Sequence, residues 1–243
     1  MATVGLLYPG HSAEDDFGVL ESEDTRLPVA VTSVGEDAHR VDALLDLGGP
    51  DRLAEGAREL AGHRPDAVVW ACTSGSFVFG WDGAHEQVER LAEATGVPTS
   101  STSLAFVEAA RALGLSRVAV AASYPRDVAE RFVALLERGG IEVTAMGSHG
   151  IVTAAEVGTL GREQVEAIVA GADVTGGAQA VLVPDTAMHT LSWLPELEVA
   201  AGLPVLTANQ VTAWHGLRLA GDTTPRPGFG ALFAGAAVPS GAA

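Results

Sequence analysis

The chain contains no lysine: all 14 of its basic residues are arginine. A pyridoxal phosphate aldimine and a nucleotide-binding P-loop both need a lysine, so neither chemistry is expected. Cysteine occurs once, which rules out an internal disulfide and fits a reducing compartment. Aromatic residues are scarce at 5%, with 2 tyrosines. No apolar run approaches the ~18–20 residues of a membrane span. Positive charge is short as well: 31 acidic residues leave a formal net charge of −17. A nucleic-acid or anionic-membrane partner requires a basic face, so neither is expected. The start, "MATVGLLYPGHSAEDD", has no basic region and a very short apolar one. No signal peptide is read from it, and a cytoplasmic location is expected.

What the chain has is apolar substance, 47% of 243 residues, enough for one large α/β domain or two small lobes. Short apolar runs read as strands at 3–8, 27–34, 66–71, 117–122, 142–147 and 179–184, with shorter candidates at 97–101 and 203–207. Helical patterns lie between them at 51–62, 84–96 and 125–140. The last has Pro125 as an early residue and Gly139-Gly140 as its stop. Strands alternating with helices imply a parallel sheet.

The chain also repeats itself. "AVVWACTS" (67–74) matches "AVLVPDTA" (180–187), and "VGLLYP" (4–9) matches "VAVAASYP" (118–125). "ATGVPTSSTSLAFVEAARALG" (94–114) matches "AAGLPVLTANQVTAWHGLRLAG" (200–221) with a one-residue slip. The near-constant offset predicts two similar lobes facing each other about a pseudo-two-fold axis. Residues 1–115 with 205–243 would form the first lobe, and 116–204 the second.

Cys72 and Asp185 are counterparts in this repeat, each after a buried strand and before a threonine, Thr73 or Thr186. Ligands of parallel sheets gather at the carboxyl ends of strands, so the pair is expected across one cleft, with Tyr8-Pro9 and Tyr124-Pro125 lining it. A thiol among backbone N–H groups at a helix start suits a nucleophile or a base. Its structural alternative is an inert buried cysteine. Asp185 reads equally as a second acid/base or as the cap of a short turn in "DTAMHTL". His189 four residues on has no third partner at ligand spacing, so no metal site is expected. "HSAEDD" (11–16) reads as a solvated acidic loop placed to fold over the cleft, and the tail 235–243 as a loose end. The four tryptophans read as core or cleft wall.

"VGLLYPG", "CTSGSF", "ASYPRDVAERFVALL", "SHGI" (148–151), "LVPDTAMHTLSWLPELE" (182–198) and "RPGFG" (226–230) together resemble the aspartate/glutamate racemase superfamily. The resemblance is to its branch of maleate cis-trans isomerases and arylmalonate decarboxylases, and it runs nearly end to end. It implies two Rossmann-like α/β lobes, no metal, no organic cofactor, and a small carboxylate or dicarboxylate substrate. In that branch the isomerases carry cysteine at both strand ends. The decarboxylases carry glycine at the first and the proton-delivering cysteine at the second. Cys72 with Asp185 departs from both patterns, and Pro9 stands where isomerases tend to have a carboxylate-binding asparagine.

The resemblance also assigns Thr73, Ser74, Tyr124 and Thr186 to substrate carboxylate binding, beside Pro9. The expected reaction is of the maleate isomerase type, with Cys72 adding to the alkene and Asp185 handling the second proton. The alternatives are an arylmalonate-type decarboxylase, an amino-acid or hydantoin-type racemase using Cys72 and Asp185, and an inactive carboxylate-binding paralogue. The apolar composition is compatible with a homo-oligomer.

Overall fold

The computed structural model describes residues 1–10 and 12–235. Two parallel sheets with flanking helices make up the chain. The first holds β1 (Ala2–Pro9), β2 (Thr25–Arg26), β3 (Val29–Thr32), β4 (Ala67–Trp70) and β5 (Thr99–Ser101). The second holds β6 (Arg117–Ala122), β7 (Glu142–Ser148), β8 (Val181–Val183) and β9 (Val205–Thr207). The first sheet is ordered β2-β1-β4-β5, with β3 continuing beyond β2 along the same edge of β1. The second is ordered β7-β6-β8-β9. Matching β3, β1, β4 and β5 with β7, β6, β8 and β9 gives one topology twice, as the internal repeat requires.

All named strand pairs are parallel, and the central strands are covered on both faces. That is why they read as unbroken apolar runs instead of alternating ones. In each sheet the chain order reverses beside the first strand, β1 or β6. The carboxyl ends of β1 and β4, and of β6 and β8, are therefore the places where a ligand crevice opens.

The expected lobe boundary at 204/205 needs correction. β9 pairs with β8, so residues 205–207 complete the second sheet. The crossing comes one element later. Helix Ala208–Leu219 follows β9 directly and packs on the first sheet and on helix Thr102–Ala112. Gly216 makes the approach possible, because a Cβ there would sit 2.5 Å from Val4 Cγ1. The hydroxyls of Thr102 and Thr212 meet at 2.6 Å in the buried seam between these helices.

A second tie joins the lobes. The segment expected to be a solvated loop at 11–16 leads into a 3-10 helix, Glu14–Leu20, and Asp16 is buried. Its carboxylate accepts from Thr190 N, Leu191 N and Asn209 Nδ2. The Thr190 and Leu191 amides would otherwise be buried without partners, while Asn209 Nδ2 also donates to Met188 O. Burial raises the Asp16 pKa, and these hydrogen bonds hold it down. His189 bonds Asp15 at 2.9 Å instead of pairing with Asp185. Among the described residues no three His, Cys, Asp or Glu side chains are placed to hold a metal ion together. His11 and most of the tail expected at 235–243 lie outside the described residues.

Candidate active site

A pocket of about 170 Å³ opens where the strand ends of the two lobes face each other. Its wall includes Tyr8, Pro9, Ser12, His39, Cys72, Ser74, Asp185 and Thr186. Val34, Ala38, Leu44, Leu47, Ala154, Ala155 and Ala187 supply apolar surface, while Glu36 and Asp37 stand among the wall residues. Five of the seven residues expected at the site therefore line one cavity: Cys72, Asp185, Pro9, Ser74 and Thr186. Thr73 and Tyr124 do not line it.

Cys72 follows β4 and precedes a single helical turn, Ser74–Phe77. Its Sγ accepts from Gly75 N at 3.2 Å and lies 3.8 Å from Ser74 Oγ. Burial pushes the thiol pKa up to about 12, with the Asp185 charge adding to the rise. The Gly75 and Ser74 hydrogen bonds pull against it. Burial and the Asp185 charge thus favour the neutral thiol over the thiolate.

The turn is fixed from behind. Gln87 Nε2 donates to Gly48 O at 2.8 Å and to Gly75 O at 2.9 Å. Gly48 is needed there, since a Cβ would fall 2.0 Å from Gly75 O. Gly48→Ala must push the Gly75 turn away from the thiol. It is expected to cost about 2–3 kcal/mol of stability and to lower turnover, checked by urea unfolding alongside an activity assay.

Asp185 follows β8 across the pocket and is buried. Ser123 Oγ donates to its Oδ2 in a short hydrogen bond, and Ala187 N donates to Oδ1 at 3.0 Å. The second of these spans 185–187, and Met188 N donates to Asp185 O to close a turn over 185–188, not a helix. Asp185 is thus a turn-capping residue, and its side chain also lines the pocket. Burial raises its pKa. The nearby His39, Ser123 and the Ala187 amide oppose that rise, and Asp37 adds to it.

The two tyrosines sit at equivalent strand ends but do different things. Tyr8 lines the pocket, donates to Thr186 O at 2.8 Å and accepts from Ala13 N at 3.0 Å. Tyr124 is enclosed, and its hydroxyl donates to Pro184 O in a short hydrogen bond. Burial drives both phenols well above their usual range. Thr73 is enclosed as well, and its hydroxyl has no hydrogen-bond partner among the described residues.

Among the wall residues not singled out from the sequence, two bind the second lobe. Asp37 accepts from Ala154 N at 2.8 Å and Ala155 N at 3.0 Å. His39 donates its main-chain N–H to Val152 O and bonds Ile151 O through Nδ1, both at 2.8 Å. The segment after β3 is thereby fastened to the second lobe beside the pocket. "VGEDAHR" (34–40) carries no periodicity or spacing that would have marked it.

A family model for arylmalonate decarboxylase matches residues 48–233. The chain belongs to the arylmalonate decarboxylase family. It is 32% identical over 242 residues to the arylmalonate decarboxylase of Bordetella bronchiseptica, covering 95% of this chain and 96% of that one. It is 33% identical over 180 residues to a maleate isomerase of Nocardia farcinica, covering 72% and 71%.

Solved structures agree with this kinship. One is a liganded double mutant of arylmalonate decarboxylase in which a glycine became cysteine and a cysteine became serine. It superposes with a TM-score of 0.85 at 27% identity, over 96% of this chain and 99% of that one. Another is the N. farcinica maleate isomerase, a cysteine-to-serine mutant with a covalently bound succinylcysteine intermediate. Its TM-score is 0.84 at 25% identity, over 96% and 98%. The two-lobe architecture is common to this chain and these structures. No helix among the described residues is long and apolar enough to cross a membrane.

Proposed function

We propose that the protein is an enzyme that decarboxylates a small substituted malonic acid, with Cys72 delivering the proton. The observation that carries this reading is a buried Cys72 thiol, favoured by burial in its protonated form, facing a largely apolar pocket beside a second buried acid. Decarboxylation breaks one C–C bond and leaves its electron pair on the α-carbon as an enediolate. Cys72 S–H then protonates that carbon, and solvent returns a proton to sulfur. A thiol kept protonated is suited to this step, because donation needs no prior ionisation.

Ser74 and the main chain around Thr186 are the groups proposed to steady the retained carboxylate, with the enclosed Thr73 and Tyr124 side chains packed behind them. Pro9 shapes the mouth beside them. Asp185, held by Ser123, is proposed to meet the opposite face of the intermediate. An apolar wall disfavours the carboxylate that leaves, which lowers the barrier to losing it. The double-mutant decarboxylase, which gained one cysteine and lost another, supports a one-thiol site on this scaffold.

Maleate isomerisation is the second reading, and the succinylcysteine adduct of the N. farcinica relative favours it. It requires Cys72 to ionise first, which the Gly75 and Ser74 hydrogen bonds assist. Proton NMR in D2O separates the readings. An aryl methylmalonate should give a product with one deuterium on the α-carbon. Fumarate from maleate, without decarboxylation, would establish the isomerase instead. Deuterium exchange at the α-carbon of an amino acid, with neither of these, would indicate a racemase. A folded protein that binds these acids and turns over none would be a carboxylate-binding paralogue.

A further inference from the structure

His39 is the one residue with a side chain able to carry positive charge among those lining the described pocket. Three acidic side chains, Glu36, Asp37 and Asp185, line the same space, so an anionic substrate meets a wall short of countercharge. The imidazole is buried and held from three directions. Nδ1 bonds the carbonyl of Ile151 at 2.8 Å, so Nδ1 carries the hydrogen. The main-chain N–H bonds Val152 O. The ring stands edge-on to Tyr124, with centroids 4.8 Å apart. Nε2 is the remaining polar atom, and it has no hydrogen-bond partner among the described residues.

We infer that His39 is the substrate's countercharge: Nε2 takes up a proton when a carboxylate enters the pocket and donates it in a charge-assisted hydrogen bond. The first part follows from the tautomer. With hydrogen on Nδ1, the neutral ring offers only a lone pair at Nε2, which repels a carboxylate. Protonation turns the same atom into a cationic donor, and imidazole changes charge readily near neutral pH. The groups around the ring set the balance. Asp185 and the tyrosines Tyr8 and Tyr124 belong to the strand ends, and Cys72 to the turn after β4. Glu36, Asp37 and Arg40 belong to its own segment, where Arg40 is already paired with Glu36 and Asp42. The Ile151 and Val152 carbonyls keep the ring in place through the change.

The inference deepens the decarboxylase reading but is tested without turnover. Phenylacetate, malonate and succinate serve as probes in isothermal titration calorimetry, each in two buffers of different ionisation enthalpy. Binding of at least one should take up close to one proton in the wild type. His39→Asn keeps an amide N–H at the Nδ1 position for Ile151 but removes Nε2. It should weaken binding about ten-fold or more and abolish the uptake. His39→Gln places a neutral donor near Nε2 and should recover part of the affinity without proton uptake. Asp185→Asn should retain the uptake. Thermal melts of each variant show whether it is folded.

Uptake lost in Asp185→Asn but kept in His39→Asn would overturn the inference, and so would wild-type binding without uptake. Failure of all three probes to bind would overturn it too. Absence of decarboxylation with intact, His39-dependent proton uptake would remove the proposed reaction and leave the countercharge standing.

Discussion

Cys72→Ala should lower turnover of the productive substrate by about three orders of magnitude or more, with the fold intact. A general acid in contact with the reacting carbon contributes about 10²–10⁴-fold, and no other thiol exists in the chain to replace it. Cys72→Ser should fall nearly as far, because an alcohol is a much weaker acid than a thiol and the enediolate would wait for water. Neither change should unfold the protein. The thiol sits in a small cluster with Leu7, Trp70 and Leu91, and shortening it removes one atom from that packing. Stopped-assay kinetics with a thermal melt on each variant check both halves.

The raised thiol pKa adds a chemical signature. Iodoacetamide consumes thiolate, so at pH 8 the native protein should react far more slowly than the same chain in urea. The sign on stability follows from linkage. The folded thiol keeps its proton to about pH 12, whereas the unfolded one releases it near 9. This contribution to stability is complete below pH 9 and is lost as pH climbs from there to 12. Rapid alkylation of the folded wild type at pH 8 would mean a resting thiolate and would favour the addition chemistry of the isomerases.

The sequence reveals the fold because parallel strands buried on both faces leave apolar runs, and because a duplicated topology leaves a duplicated text. "AVVWACTS" and "AVLVPDTA" lie on β4 and β8, and the pairing of Cys72 with Asp185 follows from that alone. The lobe boundary was harder. β9 is three residues long and opens directly into a helix belonging to the other lobe's layer, so composition does not change where the chain crosses. Asp16 looked solvated because it sits among acidic neighbours, while its partners lie more than 170 residues away. His39 was hidden for the same reason. Its role comes from contacts with Ile151 and Val152, which no local pattern encodes. Tyr124 illustrates the reverse case. Its motif marks a strand end correctly, but the enclosure of its hydroxyl against Pro184 is a packing result.

Asp185→Asn should be the variant that gains stability while losing function. Burial holds the Asp185 pKa above its usual 3.8, so the folded state keeps a proton that the unfolded chain releases earlier as pH rises. The group therefore contributes fully below about pH 4, and the contribution is lost as pH rises through the folded value. Asparagine carries no charge at any pH, and its amide oxygen still accepts from Ser123 or Ala187. The two proteins should melt together near pH 4. At higher pH the asparagine variant should melt above the wild type, by about 3 °C for each kcal/mol of burial cost relieved.

Turnover should move the other way, falling about 10²-fold, because the opposite face of the intermediate loses the carboxyl group proposed to meet it. Differential scanning calorimetry across that pH range gives the first result, and kinetics at pH 8 the second. A wild type that outlasts the variant at pH 8 would mean that Asp185 is ionised and held by the charge of His39. The cation in the pocket would then be present before substrate arrives. The carboxylate would then act as a base, and α-proton abstraction, as in a racemase, would replace proton delivery as the chemistry of that face.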